Sequence, residues 1–346
     1  MPRVSVIIVA RNGMKFLPEV LSSLSVQEYR DFSVLIIDSG SSDGTVWFVR
    51  DSHPSVAVIR NSRNLGSARA RNQGLSHVRA HLDPANGDPL ILMLGQDVMA
   101  DPEFLGNLVS EIDRHSGIGS VGGRILQATA GEEDGLRQVR RSDRFETTGL
   151  LAFPSGRFAD RGAGQADDGS RFRVPGEVFG VSGQAALYRL KALDDVAYRD
   201  GTAYDEGFFG GWEDVDLAWR LRILGWRSSY APEAVAYRFR TDGGGGRVGF
   251  LQSVRERRNR SVSANGLLSR NRLVTFLKNV HVKNFFRYFF PIFLGGLGKA
   301  VFFLFFEPRT ALSCLSVFRD FPDVARKRRQ VFGRTHVPPS EIGKWF

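Results

Sequence analysis

Through the first 115 residues, short continuous apolar runs alternate with stretches whose apolar residues fall at helical spacing. The runs "VSVIIVA" (4 to 10), "FSVLIID" (32 to 38), "SVAVIR" (55 to 60) and "LILML" (90 to 94) are rich in β-branched residues and lack the polar alternation of a half-exposed strand. Between them, "KFLPEVLSSLSVQ", "DGTVWFVRD", "GSARARNQGLSHVRAH" and "DPEFLGNLVSEIDRH" carry helical spacing or helix-start residues. A βαβαβαβ order of strands apolar on both faces predicts a mostly parallel sheet covered by helices.

Ligands of such sheets bind beyond the carboxyl ends of the strands. The residues at those ends are polar or small: Ala10, Arg11 and Asn12, then Asp38, then Asn61 to Gly66, then Gln96 and Asp97. Asp101, before Pro102, is expected to cap the helix that follows. Residues 127 to 180, with "ATAGEEDG" and "RGAGQADDGSR", read as polar, glycine-rich excursions without chemistry of their own. Strand and helix resume in "GVSGQAALYRLKAL". "DVDLAWRLRILGW" predicts an amphipathic helix with Leu217, Leu221 and Leu224 on one side.

Charge divides the chain. Lys and Arg against Asp and Glu count 29 to 32 in residues 1 to 254, and 18 to 5 in residues 255 to 346. The body is near neutral and the C-terminal quarter carries +13, a balance that suits an anionic surface. Nine phenylalanines in "FFRYFFPIFLGGLGKAVFFLFF" (285 to 306) make that surface a membrane rather than a nucleic acid, which uses spaced aromatics for stacking. Arg287, Pro291 and Lys299 argue against one spanning helix, so an in-plane or re-entrant hairpin flanked by "RKRR" (326 to 329) is expected. A buried pair of core helices is the plainer alternative. The single Cys314 precludes an internal disulfide and fits a reducing compartment. The seven-residue N-terminal run is too short for a secretory signal.

Three stretches carry chemistry. "DSGSSDGT" (38 to 45) is a strand-end carboxylate before small turn residues, equally readable as an N-cap turn. "NLGSARARNQG" (64 to 74) sets Arg69 and Arg71 in a helical turn, where a guanidinium can meet a phosphate or simply face solvent. "FFGGWEDVDLAWRLRILGW" (208 to 226) places Glu213, Asp214 and Asp216 at a helix start, behind a Gly-Gly-Trp turn. The helix dipole favours carboxylates there whether or not a ligand binds.

In order and spacing, "VSVIIVARNG", "LIIDSGSSDGT", "NLGSARARNQG", "LMLGQDVMADP", "VSGQAALYRLKAL" and "YDEGFFGGWEDVDLAWRLRILGW" resemble the family 2 glycosyltransferases. The "FFGGWEDVDLAWRLR" form is most like rhamnosyltransferase-type enzymes of cell-envelope glycan synthesis. The resemblance implies an α/β GT-A fold over residues 1–250 and inverting transfer of one sugar from a nucleotide-sugar donor to a glycan or lipid-linked acceptor. It puts Asp214 as general base, with Trp212, Glu213 and Gly183 around the acceptor. Ala10, Asn12, Asp38, Arg71, Gln96, Asp97 and Arg238 would surround the donor, and Asp97 would hold a divalent cation, Mg or Mn, on its diphosphate. Residues 251–346 would hold the protein to the cytoplasmic face of the cell membrane, with no nucleic acid involved.

Two positions depart from the family pattern. Gly95 stands where the first metal-motif carboxylate is usual, and Arg238 where many members have His. The cation is then weakly held or dispensable, with Arg238 supplying charge in its place. The same departures suit a second reading, a non-catalytic nucleotide-sugar-binding or scaffold protein. "QSVRE" (252 to 256) lacks the tryptophan of the Gln-x-x-Arg-Trp motif of processive synthases, which favours single-sugar transfer.

Overall fold

The computed structural model describes residues 3–82, 87–133, 136–240, 257 and 261–346. The stretch "QSVRE" and the expected domain boundary at 250/251 lie outside the described residues.

Strands β1 (Val4–Ala10), β2 (Phe32–Ser39), β3 (Ala57–Asn61) and β4 (Leu90–Gly95) pair in parallel in the order β3-β2-β1-β4. Between them run α1 (Leu17–Ser25), α2 (Thr45–Ser52) and α3 (Ser67–Ala80). β5 (Val98–Ala100) and α4 (Phe104–Asp113) lead to β6 (Ile118–Glu133) and β7 (Leu136–Thr147), an antiparallel pair. A small sheet of β8 (Leu150–Ala152) and β9 (Phe158–Asp160) follows, then β10 (Gly176–Val178), β11 (Ala185–Arg189), α5 (Leu190–Val196), α6 (Glu213–Ile223) and β12 (Arg227–Phe239). β11 slots antiparallel between β4 and β6, and β12 lies parallel to β6, which completes a ten-stranded, mostly parallel sheet.

The apolar runs have their physical reason in two-sided burial. Val4, Val6, Ile8 and Ala10 face one core with α1 and α4, whereas Ile7, Ile37, Ile91 and Met93 face a second with α3, α5 and α6. Each such side chain withdrawn from water contributes ~1.5–3 kcal/mol, enough to specify which strands lie centrally.

Three expectations change. Residues 127 to 147 are no loose excursion: β6 and β7 pair as a long hairpin. Asp101 does not cap α4 with its side chain. Its carbonyl accepts from Phe104 N–H at 2.9 Å while its carboxylate faces Arg141 at 3.1 Å. And α6 is buried from Val215 to Ile223 on all sides rather than amphipathic, its arginines included. Arg220, fully enclosed, donates to Asp216 and to the carbonyls of Val196 and Ala203.

The C-terminal part is helical: α7 (Val262–Asn279), α8 (Val282–Arg287), α9 (Phe289–Phe306), α10 (Pro308–Phe332) and α11 (Pro339–Gly343). It packs on the sheet domain through Val331, Ile342, Trp345 and Phe346, which gather around Phe179 and Trp219. α9 is one continuous 18-residue helix of mean hydropathy 1.9, long and apolar enough to cross a membrane, with none of that span buried against protein. The "RKRR" cluster lies within α10, where Lys327 turns inward to Asp205 at 2.6 Å.

Candidate active site

The β1–α1 and β2–α2 loops meet at one rim of the sheet. Asn12, held at φ 49°, donates its backbone N–H to Ser41 Oγ (2.9 Å) and accepts from Ser42 N–H through its side chain (3.0 Å). Ala10 lies opposite Asp38 in the ladder. The Asp38 carboxylate is fully buried and engaged by the N–H and hydroxyl of Ser41, so it buttresses the 38–45 loop and presents no oxygen to the cleft. Gln96 accepts from Arg11 N–H (2.8 Å) and donates to Arg11 carbonyl (3.2 Å), fastening the end of β4 to the end of β1.

The "GGW" turn launches α6. Gly210 and Gly211 take φ 82° and 128°, and Trp212 follows at φ 80°, a conformation that costs a non-glycine residue of order 1–3 kcal/mol. The turn sets the two carboxylates at the helix start differently. Asp214 is half-buried, and its Oδ2 accepts from Gly183 N–H at 3.1 Å. Glu213 is buried, with Oε1 3.7 Å from Arg71 Nη1, and neither Arg71 Nη1 nor Glu213 Oε2 has a hydrogen-bond partner. Arg71 Nη2 donates to Gly183 carbonyl at 2.8 Å, so the peptide groups of Gly183 tie Arg71 to Asp214. A Cβ at Gly183 would stand 3.0 Å from both Arg71 Nη1 and Asp214 Cβ, which explains a glycine there. Burial disfavours the Arg71 cation, but Tyr204, Glu213 and Asp214 outweigh it and raise its pKa.

Asp216 belongs elsewhere. It is fully buried and bound by Lys278 at 2.8 Å, Arg220 at 2.9 Å and Asn279 at 2.7 Å. Arg69 is exposed and pairs with Glu206 at 2.8 Å.

At the end of β4, Asp97 Oδ2 lies 3.0 Å from Arg238 Nε, Arg238 Nη1 lies 2.9 Å from Glu146 Oε1, and Arg240 Nη1 lies 2.8 Å from Glu146 Oε2. These two carboxylates and two guanidinium groups balance in charge. Burial opposes the Arg238 cation, yet Asp97 and Glu146 raise its pKa above the ordinary value. Gly95 has a steric reason: a Cβ there would stand 2.7 Å from Asp97 Oδ1. For a divalent cation the fit is poor, because Asp97 is ion-paired already and no cluster of three or more His, Cys, Asp or Glu occurs among the described residues. The donor set present is that of an arginine-neutralised site, not of a self-sufficient metal site.

Two acidic residues escaped the sequence reading, Glu146 at the end of β7 and Asp160 on β9. Asp160 is exposed on β9 yet crowded by protein. Desolvation, with repulsion from Asp214 and Glu146 added, pushes its pKa up to about 6 against a hydrogen bond from Thr147. No motif surrounds either residue; only the strand assignment of 136–160 could have drawn attention to them.

The family model for glycosyl transferase family 2 matches residues 5–197. The chain is 29% identical over 223 residues, 63% of its length and 70% of the relative's, to an N-acetylglucosaminyl-diphospho-decaprenol L-rhamnosyltransferase of Mycobacterium tuberculosis. It is 20% identical over 236 residues to a poly-beta-1,6-N-acetyl-D-glucosamine synthase of Staphylococcus epidermidis, spanning 68% of this chain and only 49% of that one. Among solved structures it is similar to GalNAc-T7 with UDP, GalNAc and Mn2+, with TM-score 0.56 and 16% identity over 80% of this chain and 48% of that one, a likeness of fold.

Proposed function

Since the chain belongs to glycosyl transferase family 2, we propose that it transfers one sugar, with inversion, from a nucleotide-sugar donor to a lipid-linked glycan acceptor of the cell envelope. The observation that carries this is the Asp214 carboxylate, half-buried at the start of α6 and aimed by the N–H of Gly183, next to Gln184, whose carbonyl accepts from Gly95 N–H at the end of β4 (2.7 Å). The acceptor class is supported by the rhamnosyltransferase relative, whose name specifies a diphospho-decaprenol substrate. The apolar α9, with none of its span buried, supports action at a membrane, which we place at the cytoplasmic face.

In this mechanism the acceptor hydroxyl donates to Asp214 and loses its proton late, as its oxygen attacks the anomeric carbon from the side opposite the leaving diphosphate. A positioned carboxylate base contributes ~10²–10⁴-fold. Charge developing on the leaving group meets Arg238 and Arg240, whose guanidinium groups can exchange Glu146 and Asp97 for phosphate oxygens. Glu213 and Arg71 fix the Gly183 peptide against which Asp214 rests. Trp212 offers an indole face to an acceptor sugar.

The neutralised Asp97 also suits a non-catalytic nucleotide-sugar-binding protein. Asp214→Asn separates the two. The enzyme loses kcat by ~10²–10⁴-fold and keeps its donor affinity, whereas full turnover in the variant, or none in the wild type with any donor, removes the catalytic reading.

A further inference from the structure

Between α7, α9 and the turn joining β8 to β9 runs a groove of about 1050 Å³. Its walls are apolar, formed by Phe158, Trp212, Leu268, Phe276, Leu294 and Phe302. α9 approaches the turn closely at Gly295, where a Cβ would sit 3.3 Å from Ser155.

Its four cations, Arg157, Arg257, Arg272 and Lys299, are distributed unevenly. Arg257 is neutralised by a two-pronged bond to Glu307 at 2.8 and 2.6 Å, near Phe302 and Phe303. At the turn, Arg157 and Arg272 have no carboxylate partner among the described residues. Arg272 reaches only the carbonyls of Ser155 and Gly156, at 3.3 to 3.4 Å, and Arg157 lies over the Phe153 ring. Desolvation, and then repulsion from Arg157, depress the Arg272 pKa. Two neighbouring guanidinium groups without a counter-ion, beside an apolar trough, complement a ligand with an anionic head and a long hydrocarbon tail.

The trough adjoins the candidate active site at Trp212. Phe158 packs edge-on against Trp212 at 6.1 Å, and Trp212 immediately precedes Glu213 and Asp214. Asp160, on the same face of β9 as Phe158, feels the Asp214 charge.

We propose that this groove seats the hydrocarbon chain of an isoprenoid-diphosphate acceptor, its diphosphate between Arg157 and Arg272 and its sugar directed at Asp214. The assignment rests on the acceptor class proposed above and names the part of the chain that selects it.

Binding without sugar transfer tests it. The full chain, held in amphipol without nucleotide-sugar, is titrated with farnesyl diphosphate, farnesol, inorganic pyrophosphate and dioctanoyl phosphatidate. Farnesyl diphosphate should bind the wild type tightest. Arg157→Gln with Arg272→Gln should weaken it by about tenfold or more, leave farnesol unchanged, and be rescued by the double Lys variant. Leu294→Asp should weaken farnesyl diphosphate and farnesol alike, with unchanged melting temperature showing that the fold persists. Equal affinity of wild type and the Gln variant overturns the proposal. So does pyrophosphate binding as tightly as farnesyl diphosphate, which marks an anion site only, or phosphatidate doing so, which marks a site for bulk membrane lipid. Because no sugar moves, a negative result leaves the glycosyl-transfer reading standing, and that reading fails separately through Asp214→Asn.

Discussion

Gly95 and Gly183 show how much of a site is set where a side chain is missing. Gly183 allows Arg71 and Asp214 to share one peptide group, and Gly95 leaves room for an Asp97 that turns to Arg238. That pairing predicts transfer activity that survives EDTA, and an Arg238→Ala variant about 100-fold weaker in kcat/KM that added Mn2+ does not restore. Complete, reversible loss of wild-type activity in EDTA would reverse the assignment. Asp160 gives a pH signature. Its folded pKa, raised from 3.8 to about 6, means the protonated form is favoured by folding, so its contribution is full below pH 3.8 and disappears as pH rises through 6. Thermal melts should therefore show Asp160→Asn gaining on the wild type between pH 4 and 7; a constant difference would place the carboxylate in ordinary solvent. The rim positions Ala10, Asn12 and Asp97 were legible because they end apolar runs. Glu146 and Asp160 were not, because Glu146 meets Arg238 only once β7 and β12 both pair with β6, and Asp160 comes within reach of the Asp214 charge only through the separate β8–β9 sheet.

Among the elements, the central strands were readable for the same reason they are stable: both faces are buried, so the runs are continuous. β7 was not, since most of its described side chains from 138 to 144 face solvent and its place is held by the backbone ladder to β6. α6 misled in the other direction. Its arginines looked like a polar face, but Arg220 and Asp216 are wholly enclosed, and α7 supplies the balancing charge through Lys278. Burial disfavours the Lys278 cation, yet Asp205 and Asp216 hold its pKa well above the usual lysine value. Lys278→Met leaves two buried carboxylates short of a partner, and chemical denaturation should register a loss of ~3–5 kcal/mol. A loss under 1 kcal/mol would mean that Lys327 and Arg220 carry the network alone.

For the whole molecule, the +13 of the last 92 residues does not all face outward. Lys278 joins the helical region to α6 through Asp216 and, with Lys327, to the preceding loop through Asp205, while α9 leaves Phe290, Phe305 and Phe306 exposed. The helical region thereby supplies most of a groove, through α7 and α9, that the β8–β9 turn and Trp212 of the sheet domain complete. Hydropathy and charge revealed an amphiphilic tail but not its packing, because residues far apart in sequence seat it: the ion pairs of Asp205 and Asp216 with Lys278 and Lys327, and Val331, Ile342, Trp345 and Phe346 around Phe179 and Trp219. The stereochemistry of transfer tests the proposed mechanism most directly. NMR of the product formed from a nucleotide-sugar and a prenyl-diphosphate-linked sugar should show an anomeric configuration opposite to that of the donor. Retained configuration would contradict Asp214 as a base acting in a single displacement.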